Sequence, residues 1–359
     1  MNAHSVSRSG VDRLINAPIP NTLNLPVRAR ELLRIVDAPS AFSQRWVRDE
    51  WLADPEALVL GGASNILFVR TEVGKAMSLG TSTYGAIDLG DRVRVFADGG
   101  VGLDEWVRWT AAQGWYGLER LAEIPGTVGA APIQNVGAYG VQISDVLDAV
   151  ALWDRHKQEY VVWRAEECGL SYRHSRFKEE PGRWLVLRIW VTLSKHAPRD
   201  WPHLGYPGLE SAAARYLESV ERAAHGLTPA ELATIVTDVR RQKLPDWRSD
   251  TIGSVGSFFQ NPIVARELAA NLAERWPDMP QYPQDTQERV KLSAGWLIER
   301  AGWKGKTVDA AGMSEIHALV LVNHGGATGQ ALWDVAQQVQ ADVYSQFGVR
   351  LEPEPLIWQ

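Results

Sequence analysis

Two segments carry side chains that could bind and protonate a small anionic molecule. Arg173 lies in SYRHSRFK at 171–178, where its guanidinium could hold a carboxylate through two parallel hydrogen bonds. Ser257 lies in GSVGSFFQNP at 253–262, where a serine beside two phenylalanines could donate a proton to a developing carbanion. Each also has a purely structural alternative. Residues 171–178 could be a solvated basic turn, and Ser257 could form a turn or a cap before a helix at Pro262.

A carboxylate and a lysine elsewhere in the chain could complete such a site. In LEPEP at 351–355, Glu352 and Glu354 would face opposite sides of a strand, so only one can point into a site. Lys243 ends a predicted helix in RRQKLPD, where it could bind an anion or complement the negative end of the helix dipole. The histidines lack metal-ligand spacing and no serine triad can be assigned, so we expect neither a metal site nor a hydrolase.

Two glycine-rich stretches could let a ligand approach the main chain closely. GGASN lies at 61–65, and IPGTVGAAPIQNVGAYG lies at 124–140 with Gln134 and Asn135 among small residues. Bare N–H groups of such stretches can bind phosphate, although turns between strands use the same residues. No G-x-G-x-x-G follows a predicted strand, so the sequence does not support a Rossmann dinucleotide site.

The elements that must position these residues mix strands and helices without a regular βαβ alternation, which favours an α+β fold. RVRVFA at 92–97 alternates like a half-buried strand, whereas 103–114 has helical spacing and ends on a glycine. Strands predominate from 146 to 195, which predicts a sheet between the glycine-rich stretches and the second half of the chain.

Further helices and irregular segments are predicted towards the two ends. A capping box from Thr228 to Glu231 begins a helix that runs to about residue 243. Periodicity over 328–347 predicts a long helix that ends at a glycine. A loose arm is predicted at 1–20, and a loop is predicted at 199–215.

Composition places the chain among ordinary globular proteins. It has 359 residues, 45% hydrophobic and 22% charged, with a net charge of −6, which argues against general nucleic-acid binding. No apolar run is long enough to cross a bilayer, and the first 20 residues contain no secretory signal. The single cysteine, Cys168, excludes an intramolecular disulfide. We expect most of the 16 Trp residues to fill the core.

Taken in order, several strings of this sequence resemble those of a known family. They are GGASNILF, GLERLAEIPGTVGAAPIQNVGAYG, SYRHSRFK, RRQKLPD, GSFFQNP, KLSAGWLIE and LEPEP. Together they are similar to the UDP-N-acetylenolpyruvoylglucosamine reductase family, in its type I subgroup, from about Asn21 to Pro355. The string at 117–140 and GSFFQNP are the most specific of them.

The resemblance implies an α+β fold with a two-lobed FAD-binding domain of the vanillyl-alcohol-oxidase (PCMH) type and a C-terminal substrate-binding domain. After a flexible arm at 1–20, the FAD-binding domain would span 21–198, with lobes at about 21–90 and 91–198. A lid loop and a connecting helix would occupy 199–245, and the substrate-binding domain 246–359.

The resemblance also implies a reaction, in peptidoglycan precursor synthesis and hence in cell-wall formation and cell division. NADPH reduces non-covalently bound FAD, and UDP-N-acetylglucosamine-enolpyruvate then enters. Hydride passes from flavin N5 to C3 of the enolpyruvyl group, and C2 is protonated to give UDP-N-acetylmuramate.

Residue roles follow from the same resemblance. Arg173 would polarise the substrate carboxylate, Glu354 would stabilise the enolic form, and Ser257 would protonate C2. The implied substrate contacts are Tyr172, Tyr206, Lys243, Asn261 and His317, with Tyr206 on the mobile loop that covers UDP. The implied FAD contacts are Gly62, Ala63, Ser64, Asn65, Ile66, Pro125, Gly126, Gly129, Gln134, Asn135 and Gly140.

Two alternatives stay open at this point. One is another FAD oxidoreductase of the same superfamily that passes electrons to oxygen, and the other is a catalytically silent binder of a nucleotide sugar. The silent binder is disfavoured because Arg173, Ser257 and Glu354 are all present. We further expect a cytoplasmic monomer that binds neither nucleic acid nor membrane.

Overall fold

A computed structural model of the chain describes residues 5–198, 204–221, 226–284 and 288–359. These residues form two compact units. Unit 1 holds Met1–Ile19, Arg28–Ala63 and Glu72–Gln242, and unit 2 holds Pro20–Val27, Ser64–Thr71 and Lys243–Gln359. Strands and helices are mixed in both units, as the α+β prediction requires.

The strands are, in chain order, β1 Ser5–Arg8, β2 Val11–Pro18, β3 Arg28–Ile35, β4 Leu58–Leu60, β5 Ile66–Phe68, β6 Glu72–Leu79, β7 Tyr84–Asp88, β8 Arg92–Asp98, β9 Gly137–Ala138, β10 Val141–Gln142, β11 Leu147–Asp154, β12 Glu159–Arg164, β13 Trp184–Ser194, β14 Gly253–Ser257, β15 Ile263–Ala265, β16 Gln281–Pro283, β17 Arg289–Leu292, β18 Thr307–Val308, β19 Ala311–Met313, β20 Val320–Asn323 and β21 Leu356–Trp358. The α-helices are α1 Ala38–Ser43, α2 Arg45–Val47, α3 Leu103–Ala112, α4 Ala131–Gln134, α5 Arg176–Glu179, α6 Pro207–Ser219, α7 Pro229–Arg241, α8 Arg266–Arg275, α9 Ala294–Arg300 and α10 Gly329–Phe347. No helix of the described residues is long and apolar enough to cross a membrane.

Unit 1 contains two five-stranded sheets. One has the order β1-β2-β3-β6-β4, with β6 parallel to both β3 and β4. The other, β12-β11-β13-β8-β7, is antiparallel throughout. Alternation in β8 buries Val93, Val95 and Ala97, and α3 buries Trp106 on the matching apolar face. The two stretches predicted at 92–97 and 103–114 are therefore confirmed as a strand and a helix.

Unit 2 is built around small antiparallel sheets and one long helix. Its sheets have the orders β14-β20-β19-β18 and β15-β17-β16, and β21 pairs in parallel with β5. Helix α10 ends at Gly348, whose φ of 67° is left-handed, as the periodicity predicted. Trp303 is 1% exposed and donates a 2.9 Å hydrogen bond to Asp342, so this tryptophan fills the core.

Two segments differ from the sequence predictions. Within 1–20 the described residues from Ser5 to Pro18 form β1 and β2 in place of a loose arm, because β2 pairs along its length with β3. Residues 199–203 lie outside the described residues, and the rest of the segment predicted as a loop begins a helix at Pro207. Proline suits the first helical position, and the alanine-rich run after it favours a helix.

The two units do not divide as the resemblance implied. Residues 204–221 and 226–242 belong to unit 1 together with both sheets, and unit 2 begins at Lys243. Two short segments, 20–27 and 64–71, belong to unit 2 although they come from the expected FAD-binding part of the chain. The capping box and helix predicted from Thr228 are confirmed, with α7 ending at Arg241.

Candidate active site

In unit 1 the two glycine-rich stretches pack directly against each other. A Cβ on Gly62 would lie 2.7 Å from the Cα of Gly126, so a side chain at residue 62 would displace backbone. Ala63 has a φ of 46° and Gly126 a φ of 112°, which turn the chain sharply at both places. Within the described residues, the N–H groups of Gly62 and Ala63 donate no hydrogen bond. This turn therefore offers unpaired donors of the kind that bind phosphate.

The segment after Gly126 is equally close to the neighbouring backbone. The N–H of Gly129 donates a 3.0 Å hydrogen bond to the carbonyl of Gly99, and a Cβ on Gly129 would lie 2.9 Å from that oxygen. Asn135 is fully buried with a φ of 45°. Its amide donates to Gln142 at 3.1 Å and accepts from the N–H of Ser144 at 3.2 Å. These contacts fix the path of the backbone from Gly126 to Ser144.

The segment 171–178, which we call the arginine loop, is joined to residues 133–137 by side-chain hydrogen bonds. Asn135 donates to the carbonyl of Ser171 at 2.9 Å, and Ser175 donates to the carbonyl of Ile133 at 2.6 Å. Arg173 donates through Nη2 to the carbonyl of Gly137 at 3.1 Å. The φ of Arg173 is 54°, a left-handed conformation that costs free energy for a residue with a Cβ.

Tyr206 marks the start of α6, and its ring contacts Tyr139, a residue of unit 1 that the sequence did not single out. Its ring lies 5.0 Å from that of Tyr139, at an interplanar angle of 84°. Arg120 donates through Nη1 to the carbonyl of Leu204 at 2.9 Å and to that of Tyr139 at 3.3 Å. Burial lowers the pKa of Arg120, while Glu119 and Glu210 raise it. Tyr206 itself is 37% exposed.

In unit 2 main-chain pairing brings Ser257 and Glu354 into one short stretch of backbone. The N–H of Glu354 donates to the carbonyl of Phe258 at 2.8 Å, and the N–H of Gln260 donates to the carbonyl of Glu352 at 2.9 Å. Phe259 and Pro353 form a bridge between these two bonds. We call residues 256–260 and 352–356 the serine–glutamate junction.

The two glutamates of the junction differ in exposure. Glu352 is exposed, whereas Glu354 is half-buried and its carbonyl accepts from the Asn65 amide at 3.2 Å. Asn65 also accepts, through its own carbonyl, from the N–H of Leu356 at 3.0 Å. The residues alone left both glutamates open and the resemblance implies Glu354, whose role stays a prediction.

The remaining candidates of unit 2 are spread over other elements. Asn261 accepts from the N–H of Ala294 at 2.9 Å, so its oxygen is used at the start of α9. His317 accepts through Nδ1 from the N–H of Leu319 at 3.3 Å, which leaves the proton on Nε2. Burial lowers the pKa of His317, and the nearby Lys243 and Lys304 lower it further.

Comparison with known sequences shows which protein family the chain resembles. Residues 54–158 match the sequence family described as "FAD binding domain", and residues 247–358 match "UDP-N-acetylenolpyruvoylglucosamine reductase, C-terminal domain". The UDP-N-acetylenolpyruvoylglucosamine reductase of Azoarcus sp. strain BH72 is 42% identical over 94% of both chains. The chain belongs to the UDP-N-acetylenolpyruvoylglucosamine reductase family. The resemblance noted in the sequence is thereby confirmed.

Other relatives agree with this membership in the reductase family. The UDP-N-acetylenolpyruvoylglucosamine reductase of Pseudomonas putida is 39% identical over 94% of this chain and 96% of its own. The crystal structure of the reductase from Thermus caldophilus has a TM-score of 0.61 at 23% identity, covering 98% of this chain and all of that one. That likeness shows the fold alone. The predicted α+β fold with an FAD-binding domain and the prediction of an FAD-dependent oxidoreductase are confirmed.

The residues of unit 1 fit the FAD that the reductase family requires. The Nε2 of Gln134 is buried and has no hydrogen-bond partner within the described residues, while its Oε1 accepts from Lys178 at 3.1 Å. A buried donor without a partner is costly, so a bound group with acceptor atoms would stabilise it. The turn at Gly62 and Ala63 adds unpaired N–H donors that suit a diphosphate.

A metal centre and a reactive thiol are two further kinds of site to compare with the described residues. Among them, no group of three or more His, Cys, Asp or Glu side chains could hold a metal ion. Burial raises the pKa of Cys168 to about 12, so this thiol is neutral at physiological pH. The sequence did not single out Lys178 or Tyr139, because long-range contacts with Gln134 and Tyr206, not a local pattern, place them beside candidate residues. Arg120 was missed for the same reason, since it joins Tyr139 to Leu204 across the sequence.

Proposed function

We propose that this chain catalyses the reaction for which its family is named, the NADPH-dependent reduction of UDP-N-acetylglucosamine-enolpyruvate to UDP-N-acetylmuramate. The match of residues 247–358 to the family's own C-terminal domain carries this proposal, because an FAD-binding domain alone is shared by many oxidoreductases. The reaction supplies a precursor of peptidoglycan.

Unit 1 supplies most of the groups proposed to hold FAD, and the proposed contacts Ser64, Asn65 and Ile66 belong to unit 2. Gln134 offers its buried N–H, and the turn at Gly62 and Ala63 offers main-chain donors. The other proposed contacts are Ser64, Asn65, Ile66, Pro125, Gly126, Gly129, Asn135 and Gly140. A bound FAD would supply the hydride chemistry that links NADPH to C3 of the enolpyruvyl group.

Arg173 is proposed to bind the carboxylate of the enolpyruvyl group. Its guanidinium is permanently charged and can hold both carboxylate oxygens, which stabilises negative charge as it develops at C2 and on the carboxylate. The contact from Nη2 to the carbonyl of Gly137 fixes one edge of the guanidinium before substrate arrives. A preorganised cation costs no reorganisation during the reaction.

Ser257 is proposed to donate the proton that C2 receives. Its hydroxyl lies on a strand end that is fixed on both sides, by the pairing of Ser257 with Val320 and by the bond from Phe258 to Leu319. Glu354, half-buried on the adjoining segment, is proposed to stabilise the enolic form of the substrate. Proton transfer from a fixed donor is worth about 10²–10⁴ in rate.

The remaining proposed substrate contacts are Tyr172, Tyr206, Lys243, Asn261 and His317. Because the pKa of His317 is lowered, its Nε2–H would act as a neutral donor near pH 7. The oxygen of Asn261 is already used, so its NH₂ is the group left for a ligand. We propose that the enzyme acts in the cytoplasm, where its two nucleotide substrates are made, and as a monomer, since one chain carries every residue named here.

A steady-state assay tests the proposal. The purified protein, loaded with FAD, is mixed with NADPH and the enolpyruvyl substrate, and NADPH absorbance is followed with and without oxygen. We expect NADPH loss that requires the enolpyruvyl substrate and yields one UDP-N-acetylmuramate per NADPH. Substrate-independent loss that requires oxygen would favour an oxidase instead.

A further inference from the structure

One lysine contacts both the proposed cofactor contact Gln134 and the proposed catalytic Arg173. Lys178 lies on α5, and its Nζ donates to Oε1 of Gln134 at 3.1 Å and to the carbonyl of Arg173 at 3.0 Å. The three residues belong to the same unit, and Lys178 is half-buried. We propose that Lys178 is a positioning residue, which sets the direction of the Gln134 amide and holds the backbone of the arginine loop at Arg173.

The first part of this proposal follows from the donors and acceptors present. An ammonium has three donors and no acceptor, so only the oxygen of the Gln134 amide can face it. The NH₂ group must then point the other way, where its nitrogen is buried and has no partner within the described part of the chain. Without the lysine, the amide could rotate by half a turn and present its oxygen in place of its donors.

The second part follows from the backbone of Arg173. Its φ of 54° is unfavourable for a residue with a side chain, so neighbouring contacts must stabilise this conformation. The charged hydrogen bond from Lys178 to the carbonyl of Arg173 is one such contact. The bond from Arg173 to Gly137 fixes the guanidinium itself, so the lysine and the arginine side chain constrain the loop at separate points.

The proposal rests on the proposed function, because it assigns Gln134 to FAD and Arg173 to the substrate. It goes further in assigning a role to a residue that would touch neither. A direct effect of the lysine's charge on the cofactor is the competing explanation, and substitution of Gln134 separates the two explanations.

The first experiment measures FAD affinity by fluorescence recovery and the visible spectrum of the oxidised flavin. Lys178→Met is expected to weaken FAD binding about tenfold and to shift the spectrum, since a charged hydrogen bond is lost. Lys178→Arg should restore most of the affinity. Lys157→Met, which removes a 63% exposed lysine side chain, is the matched control and should bind FAD as the native protein does.

Two variants of Gln134 make the test specific. Gln134→Glu keeps a partner for Lys178 but has no N–H to donate, so it should lose at least as much FAD affinity as Lys178→Met. In a Gln134→Leu protein, Lys178→Met should weaken FAD binding no further. Additive losses in the double variant, or native affinity in Gln134→Glu, would overturn the proposed action of Lys178 through Gln134.

The second readout concerns Arg173. Lys178→Met should slow the oxidation of reduced flavin by the enolpyruvyl substrate about tenfold, and the loss should disappear in an Arg173→Ala background. A loss that persists there would overturn this part of the proposal. If the native protein fails to bind FAD, or its reduced flavin is not oxidised by this substrate, the proposed function fails. If the native protein passes and Lys178→Met behaves identically, only the role of Lys178 fails.

Discussion

The arginine loop and the serine–glutamate junction hold their proposed catalytic residues in different ways. Side-chain bonds of Asn135, Ser175 and Lys178 join the loop at Arg173 to the neighbouring segment. Within the loop, Ser171 and His174 pair through their main chains, and the backbone of Arg173 is left-handed. The junction is held by main-chain hydrogen bonds on both sides of Phe259. A side-chain bond is lost with one substitution, whereas a main-chain bond survives most of them. The loop should therefore be the more fragile of the two under mutation.

The largest effect is expected when the proposed proton donor of the junction is removed. Ser257→Ala should slow oxidation of the reduced flavin by the enolpyruvyl substrate about 10³-fold, within the range of general acid catalysis. Reduction of the flavin by NADPH should stay near the native rate, because main-chain bonds keep the junction folded. Stopped-flow absorbance of both half-reactions measures this, with Ser254→Ala on the same strand as the control. Equal slowing of the two would make Ser257 structural.

In the arginine loop, a change that keeps the charge should still be costly. Arg173→Lys loses the two-pronged geometry and the bond to Gly137, and should lower kcat/KM for the enolpyruvyl substrate about 10²-fold. Arg176→Lys lies in the same loop, where its guanidinium stacks 4.4 Å from the centre of the Trp163 ring. This control should change kcat/KM less than about twofold. Similar losses in the two variants would show that the loop needs arginines in general.

The two glutamates of the junction provide a matched pair. Glu354→Gln should lower kcat about tenfold, since a half-buried carboxylate is replaced by a neutral amide. Glu352→Gln should leave kcat within about twofold of the native value, because Glu352 is exposed. Its main-chain carbonyl, which the substitution keeps, accepts the hydrogen bond from Gln260. The reverse order of effects would assign the active position to Glu352.

Asn135 tests whether side chains maintain the arginine loop. Asn135→Ala removes three hydrogen bonds of a fully buried amide, and we expect it to destabilise the protein by roughly 3 kcal/mol in denaturant unfolding. Asn135→Gly tolerates the left-handed backbone but lacks the amide, so it separates the two contributions. If both variants unfold like the native protein, the loop does not depend on this side chain.

The smallest effect concerns the pH response of His317. Its pKa is lowered by burial and by two lysines, so the folded protein binds this proton less readily than the unfolded chain. The stability that this residue contributes is therefore present above the ordinary value of 6.5 and is lost as the pH falls. Histidine NMR should show titration below 6.5, and Lys243→Met should raise the pKa. An unchanged titration would exclude coupling to Lys243.

The sequence predicted the elements with strong local signals. The capping box at Thr228, the alternation at 92–97 and the long helix that ends at Gly348 were all confirmed. The prediction of a loose arm at 1–20 was wrong, because β2 is stabilised by pairing with β3. No pattern within 1–20 reveals that pairing. The helix at Pro207 was missed because the glycines and prolines before it outweighed the alanine run.

For the candidate site, the sequence indicated the segments but not what holds them. Small residues at 61–65 and 124–140 predicted close approach of the backbone, and the contact of Gly62 with Gly126 confirms it. The bond from Asn65 to Glu354 joins residues 289 positions apart, so only the fold could reveal it. The same holds for Lys178 and Gln134, which lie 44 positions apart.

One measurement tests the central claim most directly. The native protein is loaded with FAD, its flavin is reduced chemically without oxygen, and the enolpyruvyl substrate is added in a stopped-flow instrument. We predict rapid return of the oxidised-flavin absorbance, with one UDP-N-acetylmuramate formed per flavin. A flavin that NADPH reduces but that stays reduced in the presence of this substrate would contradict the account.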